Sequence, residues 1–260
     1  MSTQTRLRTQ ERRQAQQRRQ AQQAAVVGRS RRRRILVSVG ALVIAGLMAA
    51  ITLAVVQAAG HERTLPDASS AVVAPQHLTH TGAIAVGRAD APVTVEIYYD
   101  YMCPACGAFE KTNRGELDQL VADGVARIEL RPIAFLDEQS SGTEYSTRSA
   151  NALAAVADAA PDRVWDFHTA LYEQQPAEGS QGLSDKQIAK IAADAGVPAD
   201  VVDRFTDDTF RPWVASVTRE AFDSGVQGTP TVKINGEAFE GNVYAVGPLT
   251  QAIKSAAADQ

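Results

Sequence analysis

Cys103 and Cys106 are the only cysteines in this 260-residue chain, and Pro104 and Ala105 separate them. That spacing permits three chemistries: a redox pair that exchanges disulfides, half of a metal site, or a structural crosslink. A tetrahedral zinc site draws on four protein ligands. The chain has no second cysteine pair and no histidine at matching spacing, so neither a metal nor a cofactor is expected. A structural crosslink here would close a very small loop, where little entropy is removed from the unfolded chain. Redox exchange remains, and with no third cysteine the other sulfur must come from another molecule.

The neighbouring elements must place these sulfurs. "PVTVEIYYD" (92–100) is rich in β-branched and aromatic residues and is expected to be a strand. Pro92 can open that strand but not sit inside it. Its almost continuous apolar character predicts a central strand covered on both faces. Pro104 fits the first position of a helix, where a missing N–H has no consequence. "GAFEKTNRGELDQLVAD" continues that helix, with Phe109, Leu117 and Leu120 inward and Gly115 as a candidate bend. Cys103 then stands at the helix N-terminus, close to backbone N–H groups that stabilise a thiolate. It is the expected attacker. Cys106, one turn inside, is the expected resolving thiol.

Redox chemistry depends on compartment, and the N-terminal third addresses that. Up to Arg34 there are eleven arginines and one acid, Glu11, which leaves 15 of the 26 basic and 29 of the 30 acidic residues for the remainder. Directly after Arg31–Arg34 come 25 uncharged, mostly apolar residues, 35–59. Such a length spans a bilayer with some tilt, and the flanking arginines orient the N-terminus to the cytoplasm. A cleaved signal peptide is the competing reading, but its apolar core is ordinarily much shorter. The basic tail lacks interleaved aromatics, so topology explains it and no nucleic-acid partner is expected. The expected layout is a cytoplasmic tail (1–34), a single plasma-membrane anchor (35–59), a linker (60–82) and an extracytoplasmic domain (83–260). His61, His77 and His80 fall irregularly in the linker and are expected to be spacer residues.

Within the domain, "VARIELRPIAF" (125–135) is a second strand. A helical block follows at about 140–222, in which Ser184 and Gln187 form a capping box, Gly196 stops a helix, and a break is expected around Pro212. Trp165 and His168 are expected to be scaffold, with His168 at the edge of an apolar helix face. Thr231–Ile234 and Glu237–Phe239 flank Asn235-Gly236, a strong hairpin signal. Leu249–Ala258 closes the chain as a helix. This order predicts an α/β fold with a mixed central sheet. The isomer of the Thr229–Pro230 bond is open on residues alone.

Three stretches, "GRADAPVTVEIYYDYMCPACGAFE", the helical block after the second strand, and "GVQGTPTVKINGEAFEG", resemble the DsbA-like branch of the thioredoxin superfamily in its membrane-anchored Gram-positive and actinobacterial form. The resemblance covers about 84–256. It implies a thioredoxin-like fold with an inserted helical subdomain, and a cis Thr229–Pro230 bond lying against the cysteines. There the turn would expose backbone groups to a bound substrate chain and keep metal from the thiols. In one respect the chain departs from the pattern: the buried acid that relatives often carry six residues before the first cysteine is Ile97 here. Glu96 and Asp100, or water, are the remaining candidates for proton handling, although strand parity points Glu96 the other way.

The resemblance implies a thiol-disulfide oxidoreductase that donates disulfides to exported thiol-containing proteins and is reoxidised by a quinone-linked membrane thiol oxidase. Ala105 cannot hydrogen-bond to the Cys103 thiolate as the histidine of the best-known relative does, so a milder oxidant is expected. Two alternatives stay open at the level of sequence. One is a reductase or isomerase on the same scaffold; the other is an anchored peptide-binding or assembly protein in which the cysteines are incidental.

Overall fold

The computed structural model describes residues 72–260. The expected tail and membrane span, and the first part of the expected linker, lie outside the described residues. Among the described residues no helix is long and apolar enough to cross a membrane.

Five strands form one mixed sheet in the order β1-β3-β2-β4-β5. They are β1 (Ile84–Val86), β2 (Val93–Tyr99), β3 (Ala126–Pro132), β4 (Thr231–Ile234) and β5 (Glu237–Ala238). As expected, Pro92 stands outside β2. β2 and β3 run parallel, from Val93 opposite Ala126 to Tyr99 opposite Pro132. That pairing requires a crossover, which α1 (Pro104–Ala122) provides as one continuous helix with no interruption at Gly115. β4 is antiparallel to β2, with Ile97 opposite Val232 and Tyr98 opposite Thr231. This register brings the chain just before β4, residues 228–230, to the end of the sheet where β2 runs into the cysteines. Asn235 (φ 50°) and Gly236 (φ 87°) turn β4 into β5, as the primed hairpin turns demand.

The sheet's two faces differ in chemistry. Val93, Val95 and Ile97 are fully buried in one core with Phe109, Leu117 and Leu120 of α1 and with Leu249 and Ile253 of α7 (Pro248–Ala258). Each such side chain contributes roughly 1.5–3 kcal/mol. The opposite parity carries charge. Glu96 pairs with Arg131 at 2.9 Å, and Glu129 with Arg127 at 2.6 Å. Arg131 and Lys233 both lie over the Tyr98 ring, at 5.5 and 5.3 Å from its centroid.

Between β3 and β4 the chain forms α2 (Tyr145–Ala159), α3 (Val164–Glu173), α4 (Asp185–Asp194), the single turn α5 (Ala199–Val202) and α6 (Arg211–Asp223). α2 is buried along most of its length, and its run of small residues, Ala150 to Ala157, is the composition of a helix surrounded on all sides. Ser184 caps α4 through the expected box with Gln187.

Three expectations change. β1 adds to the expected strands; it is a three-residue edge strand antiparallel to β3, too short for a periodic signal. The stretch expected as linker up to Gly82 is tied to the domain from Gln76 onward, through Gln76 N–H to Asp158 Oδ1, a Leu78–Ile84 bridge, and Thr81 Oγ1 to Glu129 Oε2. The break expected around Pro212 comes earlier, at Asp208, whose φ of 53° ends a 3-10 turn, Asp203–Asp207. Pro212 sits in the first turn of α6, where its ring is tolerated.

Candidate active site

The turn leaving β2 is bent back on itself by Cys103 N–H to Asp100 O at 3.0 Å. Cys103 is the N-cap residue of α1, with an extended backbone (φ −73°, ψ 114°), and Pro104 occupies the first turn. The Cys103 carbonyl accepts the first helical N–H groups, from Cys106 at 3.0 Å and Gly107 at 3.2 Å. The helix therefore starts where the sequence places it, between attacker and resolver.

Both sulfurs are free thiols in this structure, and their surroundings divide them. Cys103 keeps 7% exposure and Cys106 none. The Cys103 thiol is lowered from its ordinary 9.0 to about 6. The adjoining Cys106 thiol contributes most, burial opposes it, and the Thr229 side chain and the Cys106 and Ala105 backbone amides add to the lowering. Cys106 moves the other way: burial pushes its thiol well up, and the neighbouring Cys103 adds to that. The Cys103 thiol therefore ionises far more readily than the fully enclosed Cys106 thiol. That division suits an attacker and a resolver.

Opposite the pair stands the turn before β4. The Thr229–Pro230 peptide bond is cis, as the resemblance implied, and the Cys103 thiol donates to the Thr229 carbonyl at 3.4 Å. A cleft of about 560 Å³ runs beside this turn, bounded by Gln227, Gly228, Thr229, Pro230, Thr231 and Lys233.

The helical block braces the cysteine turn from the other side. Asp100 is fully buried, and three donors hold its carboxylate: Met102 N–H at 2.7 Å and Ser146 Oγ at 2.6 Å on Oδ1, and Leu136 N–H at 2.8 Å on Oδ2. Burial nevertheless raises its pKa from 3.8 to about 7. Tyr172 donates to the Asp100 carbonyl. The Gln175 amide donates to the carbonyls of Tyr101 at 3.1 Å and Cys103 at 2.8 Å. A Cβ at position 107 would fall 2.2 Å from Gln175 Oε1, so Gly107 makes the room Gln175 needs.

Of the residues singled out from sequence, Cys103, Cys106, Pro104, Ala105, Thr229, Pro230 and Asp100 gather here. Glu96 lies elsewhere, bonded to Arg131 among the charges of the opposite sheet face. Ile97 and Tyr99, on the other parity, are buried in one core with both cysteines. His168 also departs from expectation. It is fully buried rather than at a helix edge, with Nδ1 3.1 Å from Tyr101 Oη and Nε2 3.0 Å from Glu110 Oε1. Trp165 stacks on its ring at 5.3 Å. The sequence carried one clue to this cluster: Glu110 is four residues after Cys106 on one helix, hence on the same face. For Gln175 it carried none.

A model of the thioredoxin family described as "Thioredoxin" matches residues 79–254. Over 115 residues the chain is 32% identical to the serine/threonine-protein kinase PknE of Mycobacterium tuberculosis; that match takes in 43% of this chain but only 20% of the kinase. It is 27% identical over 156 residues to disulfide bond formation protein D of Bacillus subtilis, covering 59% of this chain and 68% of that protein. The crystal structure of reduced DsbA from Mycobacterium tuberculosis superposes with a TM-score of 0.56 at 27% identity, over 68% of this chain and 98% of the other. Chemistry and kinship agree, and the chain belongs to the thioredoxin family as a thiol-disulfide oxidoreductase with a DsbA-like fold.

Proposed function

We propose that the protein donates disulfides to exported proteins from a domain held outside the plasma membrane by residues 35–59. One observation carries the direction: the Cys103 thiol is held at about 6 while that of Cys106 is pushed up. Stabilising the Cys103 thiolate stabilises the reduced form, and a stable reduced form makes the Cys103–Cys106 disulfide a willing donor. A substrate thiolate attacks the Cys103 sulfur, the Cys103–Cys106 bond breaks, and a substrate–Cys103 mixed disulfide forms. A second substrate thiolate then attacks the substrate sulfur of that bond and releases Cys103 as a thiolate. Both enzyme thiols emerge reduced, and a quinone-linked thiol oxidase in the membrane reoxidises them. In this reading the cleft beside Thr229 and Pro230 receives the extended chain that flanks the substrate cysteine.

The equilibrium reduction potential against glutathione tests the direction. A value at or above the glutathione couple is expected. A value near that of thioredoxin, about −270 mV, would overturn donation and make the protein a reductase.

A further inference from the structure

Breaking the Cys103–Cys106 disulfide expels Cys106 as a thiolate into a site with no exposure to solvent. That sulfur must take up a proton, and on reoxidation must give it back. Ile97 fills the position from which an acid could have served. We propose that Glu110 carries this proton between the Cys106 side of α1 and solvent, with His168 and Tyr101 as its positioning residues. The proposal rests on the thiol-disulfide exchange activity and not on its direction.

Placement is the first support. Glu110 follows Cys106 by four residues in the unbroken helix α1, so the two share a face one turn apart. Glu110 is 5% exposed. The second support is how its two oxygens are used. Oε1 is bonded to His168 Nε2 at 3.0 Å, and Tyr101 Oη lies 3.1 Å from His168 Nδ1. With Tyr101 donating to Nδ1, the imidazole donates from Nε2 to Glu110 Oε1 and fixes that carboxyl in place. Oε2 is buried and has no hydrogen-bond partner among the described residues.

That free oxygen has an outlet. Glu110 lines a groove of about 610 Å³ between α1 and α3, together with Pro104, Gly107, Lys111 and Thr169. Thr169 Oγ1 is likewise buried without a partner among the described residues, so two uncommitted polar atoms belong to residues of the groove wall. A buried carboxylate with one oxygen anchored by His168 and the other uncommitted beside a groove is equipped to pass protons.

The other acids near the pair are committed elsewhere. Asp100 has both oxygens occupied by Met102, Leu136 and Ser146, and Glu96 is paired with Arg131 on the far face of the sheet. The titratable groups around Glu110 are His168, Tyr99, Tyr101 and Tyr172 on the core side and Lys111, Arg114 and Glu173 on the groove side. Burial pushes all three tyrosines well above their ordinary value, so they act as neutral hydrogen-bonding walls.

The test separates the two sulfurs in time. Reduced full-length protein in detergent is mixed with excess 5,5′-dithiobis(2-nitrobenzoate). The first thionitrobenzoate released reports attack by Cys103, and the second reports Cys106 closing the disulfide after losing its proton. Glu110→Gln keeps the shape and the acceptor for His168. It is expected to slow the second phase at least about tenfold, as loss of a proton-transfer group does, with the first phase within about twofold of wild type. His168→Phe should slow the same phase less. In Glu110→Ala, added formate should restore the second phase in proportion to its concentration, while chloride should not. Equal rates in Glu110→Gln and wild type would overturn the proposal. So would a slowed second phase in Glu110→Ala that formate leaves slow, because that outcome assigns Glu110 a structural role.

Discussion

The Cys103 sulfur and the Thr229 carbonyl oxygen, 126 residues apart in the chain, lie 3.4 Å apart in the fold. The attacking atom thus faces the backbone of the turn before β4, and the groups around that contact set how variants should behave.

Cys103→Ser should abolish exchange, since Cys106 has no exposure with which to replace it. Cys106→Ser should instead accumulate mixed disulfides, because the Cys103 thiolate still attacks a substrate disulfide, releasing one substrate thiol, while no Cys106 thiol is left to resolve the adduct. Non-reducing gels of the two reduced variants after incubation with a disulfide-containing substrate protein distinguish them. Equal trapping by both would contradict the assigned roles.

Alkylation of reduced protein by iodoacetamide should titrate with a midpoint near pH 6, the position of the Cys103 thiol. Removing the neighbouring thiol in Cys106→Ala takes away the largest stabilising contact, so the midpoint should rise. Thr229→Val should raise it by a smaller amount. Thiolate absorbance at 240 nm checks each shift without a chemical probe.

Asp100 should make stability depend on pH in the direction opposite to a salt-bridged carboxylate. Its folded pKa of about 7 lies above the ordinary 3.8, so the folded state binds the proton more tightly. The resulting stability is fully present below about pH 4, falls by up to about 1.4 kcal/mol per pH unit, and is gone above about pH 7. Asp100→Asn cannot ionise. It should be less stable than wild type in acid, because its amide N–H₂ meets the Leu136 donor, and this deficit should shrink as pH rises to 7. Urea unfolding of both proteins across pH 4–8 measures the difference.

Gln175→Ala should lower stability by roughly 1–2 kcal/mol through loss of two hydrogen bonds to the cysteine turn. Gly107→Ala should do much the same by displacing the Gln175 side chain. Since both changes remove the same contacts, the double variant should be little worse than either single one. Additive losses in thermal unfolding would show that Gly107 acts otherwise.

Features written in short windows are legible in the amino-acid sequence alone. β2, the start of α1 at Pro104, the Ser184 capping box and the Asn235-Gly236 turn each depend on a few adjacent residues whose conformational preferences agree. The helix start is also what separates Cys103 from Cys106, so their roles as attacker and resolver follow from it. β1 escapes such a reading because its three residues gain their strand from hydrogen bonds to β3, and Asp208 ends a turn by adopting a positive φ that nothing beside it announces.

The sequence by itself determined that two sulfurs would meet at a strand-to-helix junction, because propensity and spacing are local. Only the tertiary structure decided what faces them. The β2–β4 register sets Thr229 against Cys103, the helical block brings Ser146, Tyr172 and Gln175 onto the cysteine turn, and packing of α3 on α1 joins His168 to Glu110 across 58 residues. Such contacts depend on which apolar faces are buried together, and burial belongs to the whole chain rather than to any segment of it.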